Sequence, residues 1–152
     1  MTAAPTLAAC LSAADITLNL RVASKDALLA ELARRAATRT NLPEADLRHA
    51  LLKREALGST GFGAGIAVPH ARIAALATPL LCFVRLDKKL AYDAIDGQPV
   101  DLVMLLLSPA GDDVTHLSLL AAISRRLRQS AVAEGLRQAR SPEAAHEWLT
   151  AR

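Results

Sequence analysis

Two apolar runs near the middle of the chain place the tightest limit on its fold. Residues 80–86 read LLCFVRL and residues 100–107 read VDLVMLLL. Each run has the length of a strand, and a nearly continuous apolar, partly β-branched composition is typical of strands buried on both faces. An Asp-Gly pair at residues 96–97, followed by Pro99, predicts a turn between them. We therefore expect both runs to be strands of a buried sheet.

Two amphipathic helices are predicted before these strands. Ser24 is a favourable N-cap for the first helix, and Pro43 is suited to the start of the second. Gly58 is a suitable C-terminal cap for that second helix. The side chains expected to face inward from the two helices are Leu28, Leu29, Leu32, Ala33, Ala36, Leu47, Ala50, Leu51 and Leu57.

Further helices are predicted after the second strand. Thr115 is expected to cap one of them, and Ser141-Pro142 is expected to open the last. Strands among amphipathic helices predict an α/β fold, a sandwich in which helices cover the sheet. At 152 residues the chain is most simply a single domain, with residues 1–10 loosely ordered and residues 11–152 forming the domain. The residues of the Thr115 helix expected to face inward are Leu117, Leu120, Ile123 and Leu127.

Composition and charge argue against several classes of protein. The net charge of +3 is mild, and a late arginine cluster is typical of a solvated helix face rather than a nucleic-acid site. An acidic or phosphorylated protein would also suit that cluster. No apolar run approaches the roughly 18 residues of a membrane helix, so no membrane insertion and a cytoplasmic location are expected. The apolar balance allows a weak dimer without requiring one. The clustered arginines are Arg125, Arg126, Arg128, Arg137 and Arg140.

A glycine-rich segment that ends in a histidine is the main chemical feature. Residues 58–72 read GSTGFGAGIAVPHAR, with a short strand predicted over residues 66–68. The G-x-G-x-G spacing lacks the third glycine of a dinucleotide fingerprint and the Lys-Ser or Lys-Thr of a P-loop. The segment is either a tight loop or a loop stripped of side chains so that something large can approach its backbone. Pro69 restricts the backbone, so His70 should leave a strand end in a fixed position.

The remaining histidines differ in their surroundings. His49 and His146 lie beside charged residues in predicted helices and are most simply surface residues. His116 lies in the first turn of a predicted helix, where unpaired amides and the helix dipole favour an anion. Neither a Cys-x-x-Cys pair nor two histidines at helical ligand spacing indicates a metal, and no cofactor is expected. The chain also lacks the G-x-S-x-G elbow of serine hydrolases.

A histidine can itself act as a nucleophile toward phosphorus. Neutral imidazole is available at cellular pH to accept a phosphoryl group on one nitrogen, provided that the other nitrogen keeps its proton and a partner. The transfer needs in-line positioning and donors for the phosphoryl oxygens. Loop amides, a helix N-terminus and an arginine would supply such donors. Taken alone, the residues favour an ordinary loop histidine at His70 and an ordinary capping-region histidine at His116.

Three stretches resemble the enzyme IIA domains of the fructose/mannitol type (EIIA type-2) of the phosphotransferase system, in particular the nitrogen-regulatory branch. They are LLKREALGSTGFGAGIAVPHAR at residues 51–72, AYDAIDGQPVDLVMLLLSP at residues 91–109 and THLSLLAAISRRL at residues 115–127. The resemblance implies a central mixed β-sheet flanked by helices on both faces. The chain departs from the family at Ala71 and Arg72, where members often have glycine and lysine.

The same resemblance implies roles for individual residues. His70 would be the phosphorylated residue, His116 would contact the phosphoryl group or orient His70, and Arg54 would steady the phosphate. The donor would be a phosphorylated HPr-type carrier, charged by an enzyme I from phosphoenolpyruvate. The positions expected to form the active-site loop and the carrier-docking surface are Ser59, Thr60, Gly61, Gly63, Gly65 and Arg72.

The expected function is therefore that of a phosphocarrier that regulates partner proteins, such as transporters or sensor kinases, according to phosphorylation at His70. The lack of an appended membrane or enzyme IIB-like domain favours this role over sugar uptake. Such a protein is a phosphotransferase-system component with a phosphohistidine intermediate, and no stand-alone turnover of a small molecule is expected. Two alternatives stay open: an enzyme IIA that passes phosphate to an enzyme IIB during sugar uptake, and a binding module that is not phosphorylated.

Overall fold

The computed structural model describes residues 5–151 of the chain. Within this range, six strands form one sheet and six α-helices pack around it. The strands are β1 (Ile16–Leu20), β2 (Gly61–Gly63), β3 (Ile66–Ala67), β4 (His70–Ile73), β5 (Leu80–Leu90) and β6 (Val100–Pro109). The helices are α1 (Leu7–Cys10), α2 (Lys25–Thr40), α3 (Glu44–Ala56), α4 (Asp113–Leu127), α5 (Ser130–Gln138) and α6 (Pro142–Thr150), and a 3₁₀ turn at Ala13–Asp15 precedes β1.

The sheet is mixed, as expected. Its strands follow the order β1-β5-β6-β3-β2, and β4 also pairs with β6. β5 and β6 are antiparallel, whereas β3 and β4 both run parallel to β6 and pair with it in succession. Pro69 lies between β3 and β4, and its carbonyl accepts a hydrogen bond of 3.0 Å from the Leu106 amide. The chain therefore continues along β6 through the proline, and His70 begins β4 opposite Leu106.

The continuous apolar run of β6 is explained by burial on both faces. Side chains alternate across a strand, so even- and odd-numbered residues face opposite layers. Even-numbered residues 102–106 pack in a core with helices α1, α4, α5 and α6, whereas odd-numbered residues 103–107 pack in a second core with α2 and α3. This arrangement confirms the predicted α/β sandwich with helices on both faces of the sheet.

Local signals located several elements well and misplaced one cap. Ser24 caps α2, since its Oγ accepts a hydrogen bond of 3.0 Å from the Ala27 amide. The prediction that Thr115 caps the following helix was wrong. The carboxylate of Asp112 accepts a hydrogen bond of 3.0 Å from the Thr115 amide, so Asp112 is the cap and α4 begins at Asp113.

Two leucines that were predicted to face inward are exposed instead. Leu57 is 83% exposed because α3 ends at Ala56 and Leu57 lies beyond the buried stripe of the helix. Leu117 is 59% exposed. The buried stripe of α4 includes Leu119 and Ile123, and a residue two positions before Leu119 points away from it at ~100° per residue.

Part of the segment expected to be loosely ordered, residues 1–10, forms α1. The Thr6 hydroxyl oxygen caps this helix by accepting from the Ala9 amide at 3.2 Å, and Leu7 is buried in the core beside α6. Residues 1–4 of that segment, and Arg152, lie outside the described residues. No helix among residues 5–151 combines the length and the apolar character required to cross a membrane.

Candidate functional site

An open hollow of about 690 Å³ brings together four of the predicted site residues. Arg54 comes from the last turn of α3, His70 and Arg72 come from β4, and His116 comes from the first turn of α4. Lys53 also lines the hollow. Three cationic side chains around His70 and His116 make this hollow suitable for an anion.

Two contacts of opposite kind hold the half-buried ring of His70 in one tautomer. Nδ1 lies 2.7 Å from the carbonyl oxygen of Val68, which can only accept, so Nδ1 carries the proton. Nε of Arg54 lies 3.2 Å from Nε2, and a guanidinium can only donate, so Nε2 presents its lone pair. The ring therefore turns an unprotonated nitrogen toward the arginine in the hollow.

The position of Arg54 is fixed at two points. Besides its contact with His70, its Nη1 donates a hydrogen bond of 2.9 Å to the carbonyl of Gly58, just beyond the end of α3. Its Nη2 makes no hydrogen bond with the residues that the structure describes. The guanidinium is therefore oriented beside His70 and has donor capacity left for an anion there.

Electrostatics favour the neutral form of His70. Burial lowers the pKa of its imidazole below the ordinary value, the hydrogen bond to the Val68 carbonyl opposes this, and the charge of Arg54 lowers the pKa further. The imidazole is therefore uncharged at neutral pH, and the lone pair of Nε2 is available for a bond to an electrophile.

His116, which also lines the hollow, is only 3% exposed. Its ring centroid lies 5.5 Å from that of His70, with the two ring planes inclined at 52°. Its Nδ1 lies 2.8 Å from the hydroxyl oxygen of Ser108. Burial lowers the pKa of His116 to about 4, and the neighbouring His70 and Arg72 act in the same direction. His116 is therefore also neutral near pH 7.

Arg72 lies at the rim of the hollow. Its Nη1 lies 3.1 Å from a carboxylate oxygen of Asp113, and both side chains are substantially exposed. An exposed ion pair of this kind adds little to stability. It links β4 to the start of α4 and keeps a positive charge beside the two histidines.

The five loop residues predicted to bind do not line the hollow, and the backbone amides of two of them already have partners. The Thr60 amide donates to the Glu55 carboxylate, and the Gly61 amide donates to the Ser59 hydroxyl at 3.1 Å. Their expected role in carrier docking stays a prediction. The five residues are Ser59, Thr60, Gly61, Gly63 and Gly65.

Two of these glycines are required by the packing of the chain on itself. A Cβ on Gly61 would lie 2.9 Å from the Cβ of Ala94. Gly65 has φ +80°, and a Cβ there would lie 2.5 Å from Nη2 of Arg137 and 2.9 Å from Oδ1 of Asp101. The missing side chains at these two glycines therefore allow close packing. The residues that pack against them belong to later parts of the same chain.

Sequence reasoning missed Glu55, which anchors the loop beside Arg54. Its carboxylate accepts hydrogen bonds from the amide and hydroxyl of Thr60 and from the Tyr92 hydroxyl at 3.0 Å, and it pairs with Lys25 at 2.9 Å. Burial raises the pKa of Glu55, but the hydrogen bonds from Thr60, Lys25 and Tyr92 outweigh burial and lower it overall. An ionised, buried Glu55 therefore ties the start of the glycine-rich segment to α2 and α3.

Sequence reasoning also missed a face of α3 that lines the hollow. His49, Lys53 and Leu57 follow one another at intervals of four residues and all line the hollow with Arg54. This spacing places side chains on one helix face, so projecting the helix around Arg54 would have found them. Among residues 5–151, no three His, Cys, Asp or Glu side chains are grouped as metal ligands would be.

Comparison with known proteins decides the family. The model of the family described as "Phosphoenolpyruvate-dependent sugar phosphotransferase system, EIIA 2" matches residues 9–151. The chain belongs to this family. The resemblance of residues 51–72 and of the two later stretches is thereby confirmed.

Relatives of this EIIA 2 protein include nitrogen regulatory proteins. It is 43% identical over 130 residues to a nitrogen regulatory protein of Bradyrhizobium diazoefficiens, covering 86% of this chain and 85% of that protein. The crystal structure of nitrogen regulatory protein IIA-Ntr from Neisseria meningitidis matches with a TM-score of 0.91 at 33% identity, covering 95% of this chain and 99% of that one. A fructose-specific EIIA component of Haloferax volcanii is 38% identical over 100 residues, covering 66% of this chain and 65% of that protein. These similarities support a phosphocarrier role within the phosphotransferase system.

Proposed function

We propose that this EIIA 2 protein accepts a phosphoryl group on Nε2 of His70 from a phosphorylated HPr-type carrier and regulates partner proteins according to its phosphorylation state. The observation that carries the proposal is the pair of contacts on the His70 ring. The Val68 carbonyl holds the proton on Nδ1, and Arg54 lies against the unprotonated Nε2. A nucleophilic nitrogen and a cation suited to bind phosphate are thus in direct contact.

The transfer follows from this geometry. The lone pair of Nε2 attacks phosphorus, the bond between phosphorus and the donor residue breaks, and its electron pair leaves with the donor. Nδ1 keeps its proton, so the reaction needs no base. As the ring gains positive charge, the hydrogen bond of 2.7 Å to the Val68 carbonyl strengthens and stabilises the phosphorylated ring.

The hollow supplies the electrostatic stabilisation that a phosphoryl group requires. Arg54 moves its Nε–H from the nitrogen to a phosphoryl oxygen, and its free Nη2 can serve a second oxygen. Lys53 and Arg72 add positive charge at the edge of the hollow. Positioning and charge stabilisation supply most of the catalysis in phosphoryl transfer, so this set of residues supports an acceptor role.

Labelling tests the acceptor role. The protein is incubated with phosphoenolpyruvate, an enzyme I and an HPr-type carrier, and intact-protein mass spectrometry follows acid-labile phosphate. The wild type should gain one phosphoryl group and His70→Ala should gain none. The matched control is His146→Gln, which removes a histidine of α6 outside the hollow and should label normally. Label that persists in His70→Ala would contradict the proposal, and no label in any variant would favour a binding module that is not phosphorylated.

The regulatory role is supported by the nitrogen regulatory relatives, and uptake is the second candidate because a fructose-specific EIIA component is also similar. A transfer assay distinguishes them. Phosphorylated protein is mixed with enzyme IIB proteins, and phosphate remaining on His70 supports regulation, whereas rapid transfer to an enzyme IIB supports uptake. A pull-down that compares His70→Ala with His70→Asp then finds partners that distinguish the two states.

A further inference from the structure

Ser108 is a buried residue in contact with His116, and no role has yet been given to it. It lies near the end of β6, is 0% exposed, and places its hydroxyl oxygen 2.8 Å from Nδ1 of His116. Its backbone pairs with that of Arg72 in the adjacent strand β4. The hydroxyl is therefore held between the strand that carries His70 and the helix that carries His116.

The direction of this hydrogen bond follows from what else the hydroxyl can reach. Among the described residues, the Ser108 hydroxyl has His116 as its one side-chain hydrogen-bond partner and donates to no backbone carbonyl. If Nδ1 carried the proton and donated, the hydroxyl hydrogen would be buried without an acceptor, which costs on the order of 1–3 kcal/mol. The hydroxyl therefore donates to Nδ1, and Nδ1 is unprotonated.

Nε2, the other ring nitrogen of His116, is the one that can face the hollow. Nε2 makes no hydrogen bond to the described residues, and no buried side-chain nitrogen or oxygen among them lacks a partner. Nε2 therefore reaches solvent, and His116 meets solvent in the hollow that it shares with His70. A neutral ring whose Nδ1 is unprotonated must carry its proton on Nε2.

We propose that Ser108 is a positioning residue, which holds neutral His116 in the Nε2–H tautomer so that His116 donates a hydrogen bond to a phosphoryl oxygen on His70. The part about the phosphoryl oxygen rests on the proposed function, whereas the tautomer does not. Val68 and Ser108 then hold the two rings in opposite tautomers. The ring nitrogen that faces the hollow carries a lone pair in His70 and a proton in His116.

This difference matters because the two nitrogens serve opposite purposes. An acceptor nitrogen must be unprotonated to form the bond to phosphorus. A neighbouring nitrogen with a lone pair would repel the phosphoryl oxygens, whereas an N–H group stabilises them. The pKa of His116 is about 4 in the unphosphorylated protein, so the ring there is neutral at pH 7 and carries a proton on only one of its two nitrogens. Its tautomer has to be set by a partner.

The tautomer is measured on the free protein, before any phosphate is involved. The ¹⁵N shifts of the His116 ring in the full-length wild type at pH 7 should identify an unprotonated Nδ1 and a protonated Nε2. The opposite assignment would overturn the proposal. This measurement stands on its own if a variant fails to fold.

Variants test whether Ser108 causes the tautomer. In Ser108→Ala, the His116 shifts should move toward a mixture of tautomers, and the rate of phosphoryl acceptance should fall about tenfold with the label still on His70. Ser108→Thr keeps a hydroxyl and should restore the wild-type shifts. The matched control is Ser118→Ala, a serine of α4 that lines a different hollow and should change neither readout. Unchanged His116 shifts in folded Ser108→Ala would overturn the proposal. Failure of the wild type to label would contradict the proposed function and leave the tautomer measurement valid.

Discussion

Nε of Arg54 donates a hydrogen bond of 3.2 Å to Nε2 of His70, sixteen positions later in the chain. The bond joins the last turn of α3 to the first residue of β4. It also marks the place that a phosphoryl group on Nε2 would occupy. To bind such a group, the arginine would have to exchange the ring nitrogen for a phosphoryl oxygen. Its second contact in this structure is the Gly58 carbonyl.

Replacing Arg54 should slow phosphorylation more than it affects folding. Arg54→Lys keeps the charge but loses the planar fork that reaches His70 and Gly58 together, so we expect the rate to fall by about tenfold or more. The rate should fall further in Arg54→Gln, because the charge is lost as well. Quench-flow labelling with the phosphorylated carrier measures both rates. The control is Arg21→Gln, an exposed arginine paired with Asp87, which should label at the wild-type rate.

His116 should make stability depend on acidity. Its pKa is about 4 in the folded protein and near its ordinary value of 6.5 in the unfolded chain, so the unfolded state binds more protons between these values. The stabilisation is present above pH 6.5 and is lost as the pH falls toward 4, by on the order of 3 kcal/mol in total. Urea unfolding at several pH values measures it. Between pH 6.5 and pH 4, the free energy of unfolding of His116→Gln should fall less than that of the wild type. Parallel pH dependences of the two unfolding free energies would contradict the expectation.

Glu55→Gln should destabilise the protein and disturb the hollow. The substitution removes the charge that accepts from Thr60 and Tyr92 and that pairs with Lys25, so we expect a loss of about 2–3 kcal/mol. Denaturant unfolding measures the loss. Glu147→Gln is the matched control, because Glu147 is exposed and makes no side-chain hydrogen bond with the described residues. Equal stability of the two variants would show that the Glu55 cluster is unimportant.

Gly65→Ala should be costly for a reason that does not involve phosphate. The alanine would require φ +80° and would place its Cβ against Arg137 and Asp101, so we expect a loss of about 2 kcal/mol or more. Gly111→Ala is the control, since a Cβ there meets nothing within 4 Å and φ is not positive. Thermal unfolding compares them, and a Gly65→Ala melting temperature equal to that of Gly111→Ala would contradict the packing explanation.

The elements that the sequence predicted well are those with strong local signals. Ser24 and the pair Ser141-Pro142 open helices because a cap acts within three or four residues of itself. The two apolar runs could be recognised as strands because strands buried on both faces consist almost entirely of apolar residues. The cap of α4 was misplaced because Asp112, Asp113 and Thr115 all suit the start of a helix, and only the fold selects Asp112.

Strand β3, Ile66–Ala67, falls within the short strand predicted over residues 66–68, whereas β1, β2 and β4 could not be predicted because their pairing is provided by distant residues. β1 exists as a partner of β5, with Ile16 opposite Phe83, and β4 exists because Pro69 is followed by residues that continue along β6. Prediction of the site from the sequence was limited in the same way. Spacing alone left His70 and His116 open as ordinary histidines, and the resemblance to a family supplied their pairing. Nothing in the sequence pattern indicated that Ser108 reaches His116.

The most direct test of the central claim is to identify the ring nitrogen that carries the phosphate. Protein labelled with ¹⁵N at histidine is phosphorylated through phosphoenolpyruvate, enzyme I and an HPr-type carrier, and the phosphorus–nitrogen coupling is observed by NMR. We predict coupling to Nε2 of His70, with Nδ1 still protonated. Coupling to Nδ1 of His70, or to any ring other than residue 70, would contradict the account.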